Sequence, residues 1–396
     1  MLSKMGKLVK LSYINMLEMG IDSGNGLIQV LIGPRQVGKT TSVLDLIKRR
    51  YKNESHYVSA DKVFNSDTQW LREQWRIATS KKHILFIDEI QKIENWAEAI
   101  KALFDENRRS GKKVRCVLLG SSSLDIQKGL TESLTGRFQQ IRAHHWNLHE
   151  SRIGYNLDFE GFLHFGGYPG SYPVLPKKTA SPHSSENTNS WAEYVRHSII
   201  ETVVEKDILQ YQNVKSPALF RQAFEILISY PAQEISYTKL LGQIQDRGNV
   251  ELIKNYIRLY EGAFLLRALE KFSNKKIKTK SSSPKILPLA PCLYQLAIRD
   301  SYSSEERGRA FELLIGSQLV RTGEDLYYWR EGQHEVDFVL KRGRKIWAIE
   351  VKSGRKRTNK GMDKFKSLFP EARLVTITTD DYETFEKDPM LFLAKF

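Results

Sequence analysis

Short apolar runs alternate with amphipathic stretches between residues 27 and 143. Five of these runs have the length and residue types of strands, namely 27–32, 55–60, 83–88, 114–120 and 138–143. The stretches between them, such as 40–51 and 94–109, repeat apolar residues at the i, i+3 and i+4 spacing of a helix. Strands that alternate with helices predict a parallel sheet covered by helices, which is the α/β class.

The composition of the rest of the chain changes at three places. A Gly-, Pro- and aromatic-rich segment at 161–176 leads into a polar stretch that is typical of an exposed loop. Residues 191–270 have a mainly helical pattern, and a Lys- and Ser-rich break at 275–285 precedes a second α/β unit. We therefore expect four parts: a domain over 1–150, a helical linker region over 151–234, a small module over 235–274 and a C-terminal domain over 275–396.

The small module has the pattern of a winged helix-turn-helix. Ser236 can cap a first helix, residues 246–249 form a turn that contains a glycine, and a second helix with an apolar face follows. Two short helices around such a turn, followed by a strand, are typical of this motif. Residues 151–270 carry 12 basic against 13 acidic side chains, whereas modules that read DNA carry a basic surface. The pattern therefore favours a packing or coupling role over DNA readout.

Composition and charge narrow the class of protein. The 396 residues have a formal net charge of +15, and the excess lies at the two ends, with 24 basic against 16 acidic residues in 1–150 and 25 against 17 in 271–396. Such an excess suggests a polyanionic partner, nucleic acid before membrane. Two cysteines, Cys116 and Cys292, are too few for a disulfide framework. With no apolar run of membrane-span length, we expect a cytoplasmic protein without a membrane partner.

A phosphate-binding loop follows the first predicted strand. Its residues fit the pattern G-x-x-x-x-G-K-[ST] without a gap and open a helix: Gly33, Pro34, Arg35, Gln36, Val37, Gly38, Lys39 and Thr40, with Thr41 directly after. Backbone N–H groups of such a loop surround phosphates, and the helix N-terminus adds partial positive charge. Lys39 would contact the β- and γ-phosphates, and the Thr40 hydroxyl would bind Mg²⁺. The sequence thus predicts ATP and Mg²⁺ as the ligands.

Two carboxylates close the third predicted strand. Asp88 is expected to hold the Mg²⁺ and Glu89 to polarise the attacking water. Ser121, at the end of the fourth strand, either senses the γ-phosphate or belongs to a serine-rich turn. Arg137 either stabilises the transferred charge, in cis or from a neighbouring subunit, or is an ordinary basic surface residue.

A second group of candidate catalytic residues lies in the C-terminal unit. Glu312 is on a predicted helix, Asp337 is on a predicted strand, and Glu350 and Lys352 share one face of the next strand. A carboxylate pair such as Asp337 and Glu350 can bind Mg²⁺, and a neighbouring lysine can act on a water that attacks a phosphodiester. The alternative is a salt-bridged patch across the strands, without cleavage. Basic residues at 355–357 follow at once, where a phosphate backbone could lie.

Five motifs in this order, GPRQVGKTT, FIDEIQ, LLGSSSL, ESLTGRF and GGYPG, resemble the prokaryotic AAA-type ATPases that carry a C-terminal domain with a restriction-endonuclease-like core. The resemblance runs over nearly the whole chain. It implies an ATPase domain with a small helical lid, a winged-helix module and a C-terminal domain of the PD-(D/E)XK nuclease type. Under that resemblance Glu312, Asp337, Glu350 and Lys352 are the nuclease-type residues.

These observations predict an ATP-binding, Mg²⁺-dependent AAA-type ATPase that acts on or with DNA through its C-terminal domain. A homo-oligomer is a further expectation. The alternative is a nucleotide-gated signalling or scaffold protein whose C-terminal domain binds a partner and cuts nothing.

Overall fold

The computed structural model of the protein describes residues 9–62, 66–81, 83–111, 114–120, 123–175, 190–209, 214, 216–244, 249–273, 283–354 and 360–396. The chain divides into two compact units. Among the described residues, one unit contains 9–144 together with 201–209, and the other contains 145–200 together with 214–396. The predicted division into four parts stays a prediction.

The N-terminal unit is built on a five-stranded parallel sheet in the order β2-β3-β4-β1-β5. Its strands are β1 (Ile28–Ile32), β2 (Ser55–Ser59), β3 (Ile84–Asp88), β4 (Arg115–Gly120) and β5 (Phe138–Arg142). Every residue of β1 and β3 is buried, as expected for strands that helices cover on both faces. The parallel sheet and its five strands, each within about one residue of the expected bounds, are confirmed.

The described residues of this unit form the α-helices α1 (Ser12–Asp22), α2 (Lys39–Leu46), α3 (Thr68–Lys81), α4 (Trp96–Arg109) and α5 (Ser123–Ser133). A π-helical turn, Ile47–Tyr51, continues α2, and a π-helical segment, Val203–Leu209, also lies here. Short 3-10 turns follow β2 and β3 at Ala60–Lys62 and Ile90–Lys92. Helix α4 has the apolar spacing that predicted it. Its buried residues form one stripe along the helix, which contains Trp96, Ile100, Leu103 and Phe104.

The second unit contains a seven-stranded mixed sheet in the order β12-β11-β10-β9-β7-β8-β6. The strands are β6 (Gln233–Glu234), β7 (Leu266–Lys271), β8 (Lys285–Pro288), β9 (Asp325–Glu331), β10 (His334–Arg342), β11 (Lys345–Lys352) and β12 (Arg373–Thr378). Strands β9, β10 and β11 pair antiparallel, whereas β12 runs parallel to β11 and β7 runs parallel to β9.

The helices of this unit precede, interrupt and follow the strands. They are Leu148–Tyr155, Phe159–Phe165, Pro217–Ile228, Tyr237–Gln243, Val250–Gly262, Pro291–Ile298, Ser304–Arg321, Lys360–Leu368, Tyr382–Lys387 and Pro389–Leu393, with 3-10 turns at Pro169–Val174 and Thr379–Asp381 and a π-helical segment at Tyr194–Ile200. None of the helices in the described part of the chain is long and apolar enough to cross a membrane.

The small module has the expected helices. Helices Tyr237–Gln243 and Val250–Gly262 precede β7, and the Ser236 hydroxyl accepts a hydrogen bond from the Lys239 N–H at 3.1 Å, as an N-cap does. Residues 246–248 of the predicted turn lie outside the described residues. The winged-helix assignment of the module therefore stays a prediction.

Two helices cover the two faces of the hairpin β10–β11. Phe338 and Ile349 belong to the core beneath the helix Ser304–Arg321. Val339 and Ala348 belong to a second core with Phe365 of the helix Lys360–Leu368. Because successive strand residues point to opposite faces, one hairpin can serve both cores.

Candidate functional site

The predicted phosphate loop joins β1 to α2. Gly38 has a φ of 88°, a left-handed conformation that a glycine adopts without strain, and it is the N-cap of α2. An added Cβ at Gly33 would lie 2.5 Å from the Ala143 carbonyl oxygen, so only a glycine fits at the start of the loop. Between them Val37 is buried, Arg35 is half-buried and Gln36 is exposed; Thr41, in the first turn of α2, is also exposed. The loop thus leaves the carboxyl edge of the sheet, where ligands of open α/β sheets bind.

Lys39 lies in the first turn of α2 and folds back over this loop. Its ammonium donates hydrogen bonds to the carbonyl oxygens of Gly33 at 2.9 Å and Pro34 at 2.7 Å. The residue is buried, so its charge is held next to the backbone groups that would surround a phosphate. A bound nucleotide offers the same ammonium a charged acceptor in place of two neutral ones.

Asp88, the last residue of β3, contacts three different groups. Its carboxylate accepts hydrogen bonds from the Thr40 hydroxyl at 2.8 Å, from the Tyr57 hydroxyl at 2.8 Å and from the Glu89 N–H at 3.0 Å. Burial, and then the nearby Asp88 charge, raise the pKa of the Tyr57 phenol, which therefore remains a donor. Tyr57 was not expected from the sequence. It lies on β2, which is the neighbour of β3 in the sheet.

Glu89 follows Asp88 in a left-handed conformation with a φ of 53°. This conformation is uncommon outside glycine, and it turns the chain sharply at the carboxyl edge of the sheet. The amide of the buried Gln91 donates a hydrogen bond to the Glu89 carboxylate. Gln91 was not expected from the sequence, because a polar residue after a strand end carries no specific signal.

Arg137 directly precedes β5. Because β1 and β5 are parallel and Ile28 pairs with Phe138, Arg137 lies at the amino edge of the sheet, opposite the edge of the phosphate loop. There its guanidinium forms two hydrogen bonds to the Asp105 carboxylate, at 2.9 and 3.0 Å. This ion pair lowers the pKa of Asp105 and raises the pKa of Arg137. The role of Arg137, in cis or in a neighbouring subunit, stays a prediction.

Two other predicted positions lie outside the described residues. They are Ser121, the candidate γ-phosphate sensor, and the basic segment 355–357. Their roles stay predictions from the sequence.

The C-terminal candidates do converge. Strands β10 and β11 form the expected hairpin, and the pairing of Phe338 with Ile349 places Asp337 beside Glu350. Asp337 accepts a hydrogen bond from the Val351 N–H at 2.7 Å, and the Lys352 ammonium donates one to the Glu350 carboxylate. Glu350 and Lys352 therefore share a face, as the period of a strand predicts.

A second lysine, which the sequence analysis did not single out, lies in this cluster. Lys285, the first residue of β8, contacts the Glu312 carboxylate with its ammonium at 2.5 Å and donates to the Asp337 carbonyl oxygen at 3.1 Å. The same ammonium lies 5.0 Å from the centroid of the Phe338 ring. The only sequence signal for it is a lysine at the start of a buried apolar strand, at the end of the Lys- and Ser-rich break.

Burial dominates the titration of this cluster. It raises the pKa of Glu312 to about 8 and also raises the pKa of Asp337. Burial alone would lower the pKa of Lys285, but the charges of Glu312 and Asp337 outweigh it and raise that pKa. Desolvation lowers the pKa of Lys352 as well, but the hydrogen bond to Glu350 and the surrounding carboxylate charges together outweigh it and raise that pKa.

Family models match three segments of the chain. Residues 25–151 match the model described as "AAA domain". This segment is thus similar to AAA domains. Residues 156–299 and 307–394 match two models described as domains of unknown function, DUF8612 and DUF4143. The AAA match contains the phosphate loop, Asp88, Glu89 and Arg137, and the DUF4143 match contains Glu312, Asp337, Glu350 and Lys352 but not Lys285.

Two curated relatives are similar over most of the chain. The "Uncharacterized protein MJ1544" of Methanocaldococcus jannaschii is 28% identical over 340 residues, which cover 79% of this chain and 72% of the relative. An "Uncharacterized protein" of Haemophilus influenzae is 21% identical over 384 residues, 91% of each chain. Among solved structures, the Thermotoga maritima RuvB Holliday junction branch migration motor has a TM-score of 0.29 at 18% identity, covering 65% of this chain and 87% of that chain. AMPPCP-bound DnaA from Aquifex aeolicus has a TM-score of 0.33 at 13% identity, with 62% and 86% covered.

Proposed function

We propose that the protein binds and hydrolyses ATP with Mg²⁺ in its AAA domain. The observation that carries the proposal is the 2.8 Å hydrogen bond between the Thr40 hydroxyl and the Asp88 carboxylate. It joins the helix after the phosphate loop to the end of β3, so the two oxygen ligands that a nucleotide-bound Mg²⁺ requires already lie next to each other.

Each residue of this site has a separate task in the proposal. Lys39 and the loop N–H groups bind the phosphates, and Thr40 and Asp88 would hold the Mg²⁺, because hydroxyl and carboxylate oxygens are the donors that this ion prefers. The ion neutralises charge on the phosphate oxygens when bound. Glu89 orients and polarises the attacking water, and Gln91 holds the Glu89 carboxylate in the ligand-free protein.

The substitution Glu89→Gln tests hydrolysis apart from binding. We expect ATP affinity close to that of the wild type and turnover lowered roughly 10²- to 10⁴-fold, the usual contribution of a general base. Glu94→Gln is the matched control, since Glu94 is an exposed glutamate five residues further along the chain, in the turn before α4. Wild-type turnover by Glu89→Gln would reject the assignment of Glu89.

A second proposal concerns the C-terminal half, which we infer contacts DNA through a domain of the restriction-endonuclease-like type. The basic excess of residues 271–396 and the convergence of Glu312, Asp337 and Glu350 around one hairpin support it. In the middle of the chain, the order of helix, short strand, two helices and the antiparallel pair β7–β8 agrees with a winged helix in a coupling role. We also propose that the protein forms a homo-oligomer in the cytoplasm, in which Arg137 acts on a neighbouring subunit.

Titration of fluorescent duplex DNA with the protein, with and without ATP, distinguishes DNA contact from a scaffold role without DNA. DNA contact predicts saturable binding that weakens as the salt concentration rises. A chain that binds no DNA even at low salt, and that still turns over ATP, would instead be a nucleotide-gated scaffold for another partner.

A further inference from the structure

The carboxylate cluster of the second unit already contains a cation of its own. Lys285 is 8% exposed in its side chain, and its ammonium lies between the Glu312 carboxylate and the Asp337 carbonyl oxygen. Both contacts join parts of the chain that are far apart, since 27 positions separate Lys285 from Glu312 and 52 separate it from Asp337. The lysine is therefore held there by the tertiary fold and not by a local turn.

We infer that the Lys285 ammonium takes the place of a divalent metal ion in this cluster, so that the C-terminal domain binds no catalytic metal there and cleaves no DNA.

Geometry is the first argument. A divalent ion such as Mg²⁺ or Ca²⁺ lies about 2.0–2.6 Å from its oxygen ligands. The Lys285 nitrogen is 2.5 Å from the Glu312 carboxylate oxygen, so an ion bound to that oxygen from the same side would occupy the space of the ammonium. Across the described residues, no group of three or more His, Cys, Asp or Glu side chains is arranged to hold a metal ion.

Charge is the second argument. Lys285 and Lys352 bring two positive charges to the three carboxyl groups of Glu312, Asp337 and Glu350. A divalent ion would add two positive charges beside these two ammonium groups, and uncompensated charge is costly in a buried place. The residues present thus do not fit a metal.

The inference does not depend on the nucleotide site, and it leaves DNA contact by the surface of the domain open. Failure of the metal prediction and failure of the ATPase proposal are distinguishable, because the first is measured without nucleotide and the second with it.

The test is a titration of the nucleotide-free, full-length protein with Mn²⁺, followed by the electron paramagnetic resonance of the free ion. The proteins are the wild type, Asp337→Asn, Lys285→Ala, the double variant of these two, and Lys341→Ala. Lys341 is an exposed lysine on β10, so its variant controls for the loss of one positive charge. Far-ultraviolet circular dichroism checks that each variant is folded.

We expect the wild type and Asp337→Asn to give the same titration, because the cluster takes up no ion. Lys285→Ala should gain one Mn²⁺ site at least tenfold tighter than any wild-type binding, and Asp337→Asn in that background should remove it. Lys341→Ala should behave as the wild type.

Two results would overturn the inference. One is a Mn²⁺ site in the wild type that Asp337→Asn removes, and the other is a folded Lys285→Ala protein that gains no site. If Lys285→Ala does not fold, the comparison of the wild type with Asp337→Asn decides alone, together with metal-dependent nicking of supercoiled DNA, which we expect in neither protein.

Discussion

The substitution Lys39→Ala should weaken ATP binding about 30- to 150-fold. In the ligand-free protein the Lys39 ammonium donates to the carbonyl oxygens of Gly33 and Pro34 at 2.9 and 2.7 Å. Hydrogen bonds to neutral acceptors contribute about 0.5–1.5 kcal/mol each, and those to charged groups about 1.5–3 kcal/mol each. Alanine makes these contacts neither in the ligand-free nor in the ATP-bound protein. The loss of affinity therefore equals the difference between two bonds to phosphate and two bonds to carbonyl oxygens, which is about 2–3 kcal/mol. Each 1.4 kcal/mol is roughly a factor of ten in affinity.

Isothermal titration of the protein with Mg-ATP measures this difference. Lys48→Ala is the matched control, because Lys48 is an exposed lysine in the π-helical turn that continues α2. The melting temperature of the ligand-free variant must be recorded as well, since Lys39→Ala also removes two hydrogen bonds from the loop. An affinity within threefold of the wild type, with Lys48→Ala unchanged, would refute the assignment of Lys39 to the phosphates.

Three further predictions concern other parts of the chain. Replacing the basic residues of 355–357 with glutamine should lower the slope of log affinity against log salt for duplex DNA by about 0.9 for each lost phosphate contact; an unchanged slope would place the DNA contact elsewhere. Glu312→Gln should flatten the pH dependence of the free energy of unfolding. Folding raises the pKa of the Glu312 carboxyl from 4.5 to about 8. Such a group stabilises the fold fully below pH 4.5, and this contribution is lost as the pH rises to 8. Urea titrations between pH 4.5 and 8.5 measure this effect, and equal curves for both proteins would contradict it. Arg137→Ala and Asp105→Ala should each lower the free energy of unfolding only slightly, and the double variant little more than either, as for an exposed ion pair that solvent screens; full additivity in urea titrations would show that the pair does not interact.

The N-terminal sheet could be predicted because its signals are local. A strand buried on both faces must be apolar at every position, as in β1 and β3, and its ends are marked by the residue types of a loop. Parallel strands also end at one edge, so the glycine-rich loop after β1 and the carboxylates after β3 had to lie on the same side of the sheet. The spacing in the sequence was therefore sufficient to bring Thr40 and Asp88 together.

Contacts between distant parts of the chain were decided by tertiary packing alone. The bond of Tyr57 to Asp88 depends on the order of β2 and β3 in the sheet, and the position of Arg137 depends on which end of β5 it precedes. Lys285 is the clearest case, because a lysine that begins a strand looks like any solvated residue until the helix Ser304–Arg321 brings Glu312 against it. The sequence alone determined the phosphate loop and the C-terminal hairpin, since each is set by the residues within it. Packing decided that a lysine lies among the C-terminal carboxylates, because only the complete fold brings β8 and β10 beneath the same helix.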